Sequence, residues 1–193
     1  MSMKYSALDL GTIEAVVNKL GGMEGVHRFL CGELKLEITQ CPVWKTVRRG
    51  VHKNLGSITT MLTKFKVTDW VKDIIGKPAF TLAQTEEDLS LCVATVKKLT
   101  GKNEATTKEI FDVIKLAGDL CPAEVGPALR EQYLDQPNGE WLHLAMKPIR
   151  DCDGRLTLFG VGRGHGELWL RAHCADPEYV WGGNSFFVYR ARK

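Results

Sequence analysis

Long apolar runs are missing from this sequence. No stretch approaches the roughly 18 apolar residues that a membrane-spanning helix needs. The first residues, MSMKYSALDLGTIEA, also lack the basic stretch followed by an apolar stretch that marks a secretory signal. We therefore predict a protein that does not contact membranes and that is located in the cytoplasm.

Metal-binding cysteine spacings are missing too. The chain has six cysteines, and no two of them have the close spacing that is typical of zinc ligands. Scattered cysteines in a chain without a secretory signal are usually reduced, half-buried residues. The sequence therefore predicts free thiols and no cofactor. The cysteines are Cys31, Cys41, Cys92, Cys121, Cys152 and Cys174.

Complete catalytic or ligand-binding motifs are also absent, although three segments contain part of one. The turn DCDG at 151–154 matches the start of a calcium-binding loop, but the twelfth position is Gly162 instead of an acidic residue. The glycine-rich segment 160–166 lies between two predicted strands, with no helix after it to bind a phosphate. The spacing H-x7-H-C that begins at His165 is not one of the usual zinc patterns. These motifs leave open whether the protein is an enzyme.

Charge is unevenly distributed along the chain, although the formal net charge is only +3. Residues 44–79 contain eight basic and two acidic side chains, a net +6. Residues 80–146 contain six basic and eleven acidic side chains, a net −5. Because the phosphate backbone supplies most non-specific affinity for nucleic acid, any such contact is expected in the first segment.

Residues 1–80 are predicted to form a helical N-terminal part, which includes this basic segment. Apolar residues recur at helical spacing in 13–20 and again in 26–30, and Gly-Gly separates the two stripes. This pattern predicts an αα-hairpin. Two further short helices are expected to begin after the capping residues Ser57 and Thr68.

The segment 85–99 fits two kinds of element. Its T-x-x-D start and the spacing of its apolar residues favour a helix, whereas the alternation in LSLCVATV favours a buried strand. We predict the helix.

Residues 81–193 are predicted to form a winged-helix-like α+β domain. Between residues 106 and 163, a helix, a tight corner, a second helix and a β-hairpin follow one another, which is the order of a winged helix-turn-helix. Thr106 and Glu109 form a capping box at the start of the first helix, and Pro127 begins the second. Leu129 and Tyr133 are expected to face inward in that second helix, and Arg130, Glu131 and Gln132 outward.

From residue 140 onward, apolar residues alternate with a period of two. This alternation predicts an antiparallel meander of about four strands. Its inner face is expected to pack against Ile110, Ile114 and Leu129. The residues of that inner face are Leu142, Leu144, Leu156, Leu158, Leu168, Leu170, Phe186 and Val188.

The opposite face of the same sheet is rich in aromatic and basic residues. Such a surface is a platform of the kind that stacks on bases or sugars. The alternative is that the N-terminal helices cover it. The residues concerned are Trp141, Trp169, Phe187, Tyr189, Arg163 and Arg171.

Four segments resemble an uncharacterised family of small bacterial proteins found in metagenome-derived genomes of candidate phyla. They are VVNKLGGMEGVHRFLCGEL, TDWVKDIIGKPAF, CPAEVGPALREQYLDQPNGEWLHLAMKPIRDCDG and GELWLRAHCADPEYVWGGNSFFVYRARK. Together they cover well over half of the chain. The resemblance implies a recurring domain arrangement, and it implies no activity, cofactor or catalytic residues.

We favour a non-catalytic binding or regulatory module, whose partner is nucleic acid or another protein. The predicted recognition helix lies in the acidic segment, so weak, non-specific contact with nucleic acid is expected from basic residues elsewhere. These residues are Arg48, Arg49, Lys53, Lys64, Lys66, Arg150 and Arg155.

The alternative is a small hydrolase or nuclease. Its site would be assembled on the C-terminal sheet from His143, His165 and His173 with nearby carboxylates, because histidine and carboxylate pairs perform acid–base chemistry near neutral pH.

Overall fold

The computed structural model describes residues 10–33 and 42–192. The chain divides into two compact units, Met1–Thr39 and Gln40–Lys193. In the first unit, α1 spans Leu10–Lys19 and α2 spans Met23–Leu30. Gly21 and Gly22 separate the two helices and both have a φ of 86°, a left-handed conformation that glycine adopts without a steric penalty. The predicted pair of helices is therefore present.

The second unit is a mixed α+β fold. Its helices are α3 (Leu55–Leu62), α4 (Asp69–Ile75), α5 (Val96–Thr100), α6 (Thr107–Ala117) and α7 (Val125–Gln132). Its strands are β1 (Lys45–Arg49), β2 (Lys66–Val67), β3 (Glu87–Thr95), β4 (Glu104–Thr106), β5 (Gly118–Asp119), β6 (Trp141–Leu144), β7 (Ile149–Arg150), β8 (Leu156–Gly164), β9 (Glu167–Cys174), β10 (Val180–Gly182) and β11 (Phe186–Ala191). None of the described helices is long and apolar enough to cross a membrane.

Nine strands form one sheet, in the order β1-β3-β11-β6-β8-β9-β2, with β5 beside β11 and β7 beside β8. Strands β10 and β4 form a separate two-stranded sheet. Because β1 pairs with β3, the boundary predicted near residue 80 falls inside the second unit.

The predicted antiparallel meander is correct only for β6, β8 and β9, which pair consecutively and antiparallel. The fourth strand, β11, pairs with β6 in parallel. The reason lies in the connection before it, because β10 pairs with β4 outside the main sheet. The chain then re-enters the sheet on the other side of β6, in the same direction as β6.

The segment predicted as a helix at 85–99 is mostly a strand, which is a correction. Strand β3 lies between β1 and β11, and it is buried on both faces. Leu89 and Leu91 fill one face, and Cys92 and Ala94 fill the other. A strand covered on both faces has apolar residues on both, so its sequence also fits a helical spacing.

The first predicted helix of the winged-helix pair is α6, and its capping box is confirmed. The Thr106 backbone N–H donates to Glu109 Oε2 over 2.8 Å, and the Glu109 N–H donates to Thr106 Oγ1 over 3.3 Å. The helix ends at Ala117, directly before Gly118.

The winged-helix arrangement is not confirmed, because α6 and α7 lie on opposite faces of the sheet. Phe111 of α6 packs on Phe187, with ring centroids 6.4 Å apart. Gly126 of α7 instead packs against Phe159. The strand registers place Phe187 and Phe159 on different faces. The two helices therefore do not form a helix-turn-helix.

The predicted outward position of Arg130 is wrong. Arg130 is fully buried, whereas Gln132 is exposed and Glu131 is partly exposed. Its guanidinium donates to Gln136 Oε1 over 2.6 Å, to the Gly162 carbonyl over 3.1 Å and to the Tyr133 carbonyl. Leu129 and Tyr133 are buried as predicted.

The prediction for the inner face of the sheet is wrong in β8. The residues of β8 that face inward are the neighbours of the predicted Leu156 and Leu158. Leu142 lies opposite Val161, and Val161 lies opposite Leu170, so these three side chains share one face. Leu158 has the other parity and lies opposite His173. It is nevertheless fully buried, since both faces of this strand are covered there.

Candidate functional site

The candidate site lies on the face of β6, β8 and β9 that carries the tryptophans. In one cross-strand row, Trp141 and Trp169 lie on either side of Gly162. In the next row, His143 and Arg171 lie on either side of Gly160. We call this surface, made of Trp141, Trp169, Arg171 and the glycines of β8, the platform.

Strand β8 contributes only glycine to the platform. A Cβ atom at Gly162 would lie 2.1 Å from the Trp141 ring, and one at Gly160 would lie 2.5 Å from His173 Nε2. A Cβ at Gly164 would also touch the Trp141 ring, at 3.3 Å. These glycines therefore permit the rings to lie directly on the strand, which is one of the few roles that favour glycine inside a strand.

Arg171 stacks on both tryptophans of the platform. Its guanidinium carbon lies 4.2 Å from the Trp141 ring centroid and 4.5 Å from the Trp169 ring centroid. Such cation–π contacts stabilise a partly exposed guanidinium by about 0.5–2 kcal/mol. Among the described residues, Arg171 has no hydrogen-bond or ion-pair partner, and its Nε atom is buried. A ligand that bonds to this guanidinium would therefore displace no hydrogen-bond or ion-pair partner among the described residues.

Arg163, which was also predicted for this face, is not part of the platform. It lies opposite Leu168 in the register, which places it on the other face of the sheet. Its Nη1 donates to the Gln136 carbonyl over 3.1 Å.

Phe187 and Tyr189 share the face of the platform but are fully buried. Phe111 and Trp181 pack on Phe187, and the Trp181 ring centroid is 5.0 Å from that of Phe187. The part of the face around Phe187 is therefore covered, and the platform over β8 and β9 lies outside this covered part.

A pair of histidines connects the covered part to the platform. The rings of His143 and His173 are 4.8 Å apart and nearly perpendicular, and His143 also contacts Trp181. Burial lowers the pKa of His143 to about 3, and burial together with the nearby Arg171 charge lowers the pKa of His173 to about 4. Both rings are therefore neutral near pH 7. His143 Nδ1 and His173 Nε2 are buried and have no hydrogen-bond partner among the described residues.

The third histidine of the predicted acid–base site is not near this pair. His165 is exposed in the turn between β8 and β9, with a φ of 53°. Within the described part of the chain, no carboxylate is hydrogen-bonded to His143 or His173, and no three His, Cys, Asp or Glu side chains are placed to hold a metal ion. Cys174 instead contacts Asp176, and burial raises its pKa.

A recess opens where the parallel strands β6 and β11 begin. It has a volume of about 430 Å³. It was not predicted from the sequence, because the two strands that border it are more than 40 residues apart in the chain. Its lining comprises Gly139, Glu140, Trp141, His143, Gly182, Gly183, Asn184, Ser185 and Phe186. Trp141 therefore belongs to both the platform and the recess.

Most of the basic residues that were predicted to contact nucleic acid form ion pairs or hydrogen bonds within the protein. Arg48 pairs with Asp88 at 2.8 Å, and Arg49 pairs with Glu87 and with the buried Glu124. The pKa of Asp88 is lowered by the hydrogen bond from Arg48.

The remaining predicted cations are also engaged, with one exception. Lys66 pairs with Glu167, and Arg155 pairs with Asp153. Lys53 and Arg150 donate to backbone carbonyls. Among the described residues, only Lys64 of this set has no partner, so the seven residues do not form a free basic surface.

Cys31, Cys121, Cys152 and Cys174 are free thiols, and Cys41 lies outside the described residues. Cys121 is fully buried, and this burial raises its pKa far above the ordinary value. It is therefore a protonated core residue near neutral pH.

Comparison of the chain with protein-family models, with curated proteins and with solved structures found no match. The resemblance noted in the sequence therefore stays a prediction.

Proposed function

We propose that the protein is a non-catalytic binding module that binds single-stranded nucleic acid on the platform. The observation that carries this proposal is the stack of Trp141, Arg171 and Trp169 on a strand that has only glycine beneath it. Bases of any sequence stack on such aromatic and guanidinium surfaces. The edge of Arg171 supplies a positive charge for a phosphate.

The glycines of β8 are compatible with a binding surface. Glycine in a strand interior loses side-chain packing and costs conformational entropy, so each position needs a reason. Gly162 and Gly164 make room for the Trp141 ring, and Gly160 makes room for His173. Because no side chain of β8 rises between them, the rings of β6 and β9 lie next to one another, as the proposal requires.

A hydrolase or nuclease at the histidine pair stays a hypothesis with less support. An acid–base pair is most effective when its pKa lies near the working pH. The low pKa values of His143 and His173 and the lack of a carboxylate partner among the described residues argue against that role.

The test is the affinity for a fluorescein-labelled single-stranded oligonucleotide, measured by fluorescence anisotropy at low salt. Trp169→Ala removes one stacking surface, and we expect it to weaken binding about tenfold or more. Trp70→Ala is the matched control, since Trp70 is 52% exposed on α4, outside the platform, and it should leave the affinity unchanged.

The proposal fails if the wild-type protein does not bind the oligonucleotide, or if the two tryptophan variants weaken binding equally. An unlabelled neutral oligosaccharide is the competitor that checks the ligand class. Displacement of the oligonucleotide by this sugar would assign the platform to carbohydrate instead.

A further inference from the structure

The platform ends at a lysine on the edge of the sheet. In the register, Lys66 of β2 pairs with Trp169 of β9, and β2 is the last strand in the sheet order. Residues that pair across neighbouring strands project from the same face. The cross-strand row of Trp141, Gly162 and Trp169 therefore continues to Lys66, because neighbouring strands lie only about 4.8 Å apart.

An ion pair supports this position of Lys66 independently. Glu167 lies opposite Gly164 in the register, so its side chain is also on the platform face. The Lys66 Nζ atom lies 3.2 Å from Glu167 Oε1. Both side chains are accessible to solvent, Lys66 at 55% and Glu167 at 46%. The ammonium group is therefore on the face where an oligonucleotide bound to Trp169 would lie.

A recess borders this ion pair, and we call it the edge recess. It is lined by residues 63–66 and 166–168, and its volume is about 410 Å³. The charged residues of its lining are Lys64, Lys66 and Glu167, which together carry a net charge of +1. Lys64 is exposed and has no ion-pair partner among the described residues. A phosphodiester carries one negative charge, so it complements the charge of the edge recess.

Glu167 limits the charge that Lys66 offers to a ligand. An ion pair between exposed side chains is only weakly favourable in water, and salt weakens it further. A phosphate can therefore replace Glu167 at Lys66 with little loss of free energy. The Glu167 carboxylate also repels an approaching phosphate, because both are negatively charged.

We propose that the edge recess is a phosphate subsite of the platform, where Lys66 and Lys64 bind the phosphate beside the base that stacks on Trp169. Glu167 competes with this phosphate for Lys66. The inference rests on the proposed function, because Trp169 is the neighbour of Lys66 in the row. With this subsite the bound strand has two phosphate contacts, so its salt dependence is steeper than for Arg171 alone and shallower than for five contacts.

The experiment compares variants of the full-length protein by fluorescence anisotropy with the labelled single-stranded oligonucleotide at low salt. Lys66→Met keeps most of the aliphatic chain and removes the charge, so we expect binding to weaken about threefold to fivefold. Glu167→Gln removes the competing charge, so we expect binding to strengthen about twofold to fivefold. Stronger binding in this second variant cannot result from a loss of folding.

Lys72 and Asp69 form the matched control pair. Their ion pair on α4 is exposed, with 2.8 Å between Lys72 Nζ and Asp69 Oδ1, and neither residue lies on a strand of the platform. Lys72→Met and Asp69→Asn make the same changes in net charge, and they should leave the affinity unchanged.

An oligonucleotide with uncharged methylphosphonate linkages is the second control. Wild type, Lys66→Met and Glu167→Gln should bind it with equal affinity, because it offers no phosphate charge to the edge recess. A difference among the three proteins with this ligand would show that the two side chains act on something other than a phosphate, and the inference would be wrong.

Three results with the charged oligonucleotide would also overturn the inference. They are an unchanged affinity in Lys66→Met, weaker binding in Glu167→Gln, and an equal loss in Lys72→Met. Failure of the subsite can be told apart from failure of the platform. If the oligonucleotide binds in a manner that depends on Trp169 but not on Lys66, only the subsite is wrong. If it does not bind at all, the proposed function itself is wrong.

Discussion

At the scale of single residues, Arg130 has a structural role that the sequence did not reveal. Burial lowers its pKa to about 10, so the guanidinium still carries its charge near pH 7. No ion pair to a described residue compensates this charge. Backbone carbonyls and Gln136 do so instead, and one of these carbonyls belongs to Gly162, directly under Trp141. Arg130 thus holds the strand that supports the platform.

We expect Arg130→Met to lower the free energy of unfolding by about 3 kcal/mol or more. Methionine fills much of the volume, but it leaves Gln136 Oε1 and the Gly162 carbonyl without this donor, and each unpartnered buried group costs about 1–3 kcal/mol. Urea unfolding measures the effect. Arg150→Met is the control, because Arg150 is exposed, and its cost should be within about 0.5 kcal/mol. An equally small loss in Arg130→Met would show that these hydrogen bonds are not needed.

At the scale of elements, α6 owes its start to a capping box whose strength depends on pH. A hydrogen bond from Lys102 Nζ, 2.6 Å away, and one from the Thr106 backbone lower the pKa of Glu109 from 4.5 to about 2. A group whose pKa is lower in the folded state stabilises that state above its unfolded pKa. The stabilisation is therefore complete above about pH 5 and is lost as the pH falls from 4.5 through 2.

Glu109→Gln should consequently lower the urea midpoint at pH 7 and have little effect at pH 2, where Glu109 is itself half protonated or more. Salt should also reduce the difference at pH 7, since the Lys102 ion pair is exposed. Glu104→Gln is the matched control, because this neighbouring carboxylate forms no ion pair with the described residues. A gap between wild type and Glu109→Gln that stays constant from pH 7 to pH 2 would contradict the assignment.

At the scale of the whole second unit, coverage of the sheet decides where a ligand can bind. Helix α7 contacts β1, β8 and β9 on one face, and α3 packs on α7. On the other face, Phe111 of α6 and Trp181 of the small sheet cover Phe187 near β11. The platform over β8 and β9 lies outside the area that these residues cover.

The salt dependence of oligonucleotide binding distinguishes binding on the platform from binding by the basic residues of segment 44–79. If Arg171 is the main phosphate contact, the plot of log K against log salt should have a slope of about −0.7, the value for one phosphate of a single strand. A slope of about −3.5 or steeper would require about five phosphate contacts. Such a slope would indicate that the phosphates are contacted by the basic residues of segment 44–79 instead. These residues are Arg48, Arg49, Lys53, Lys64 and Lys66.

Local sequence signals correctly predicted the elements whose determinants lie within a few residues. The capping box at Thr106 and Glu109 and the glycine after Ala117 specify both ends of α6. The alternation of β6 and β9 placed Trp141, Trp169 and Arg171 on one face. Capping and alternation depend only on neighbours in the chain, so they can be read from the sequence.

Tertiary structure alone decided the features that depend on distant partners. Strand β3 is a strand because β1 and β11 pair with it on both sides, and Arg130 is buried because β8 lies against α7. The recess needs the starts of β6 and β11 side by side, and this parallel pairing has no local signal. Backbone pairing and burial are set by whichever segment completes the hydrogen bonds and excludes water, and that segment lies far away in the chain.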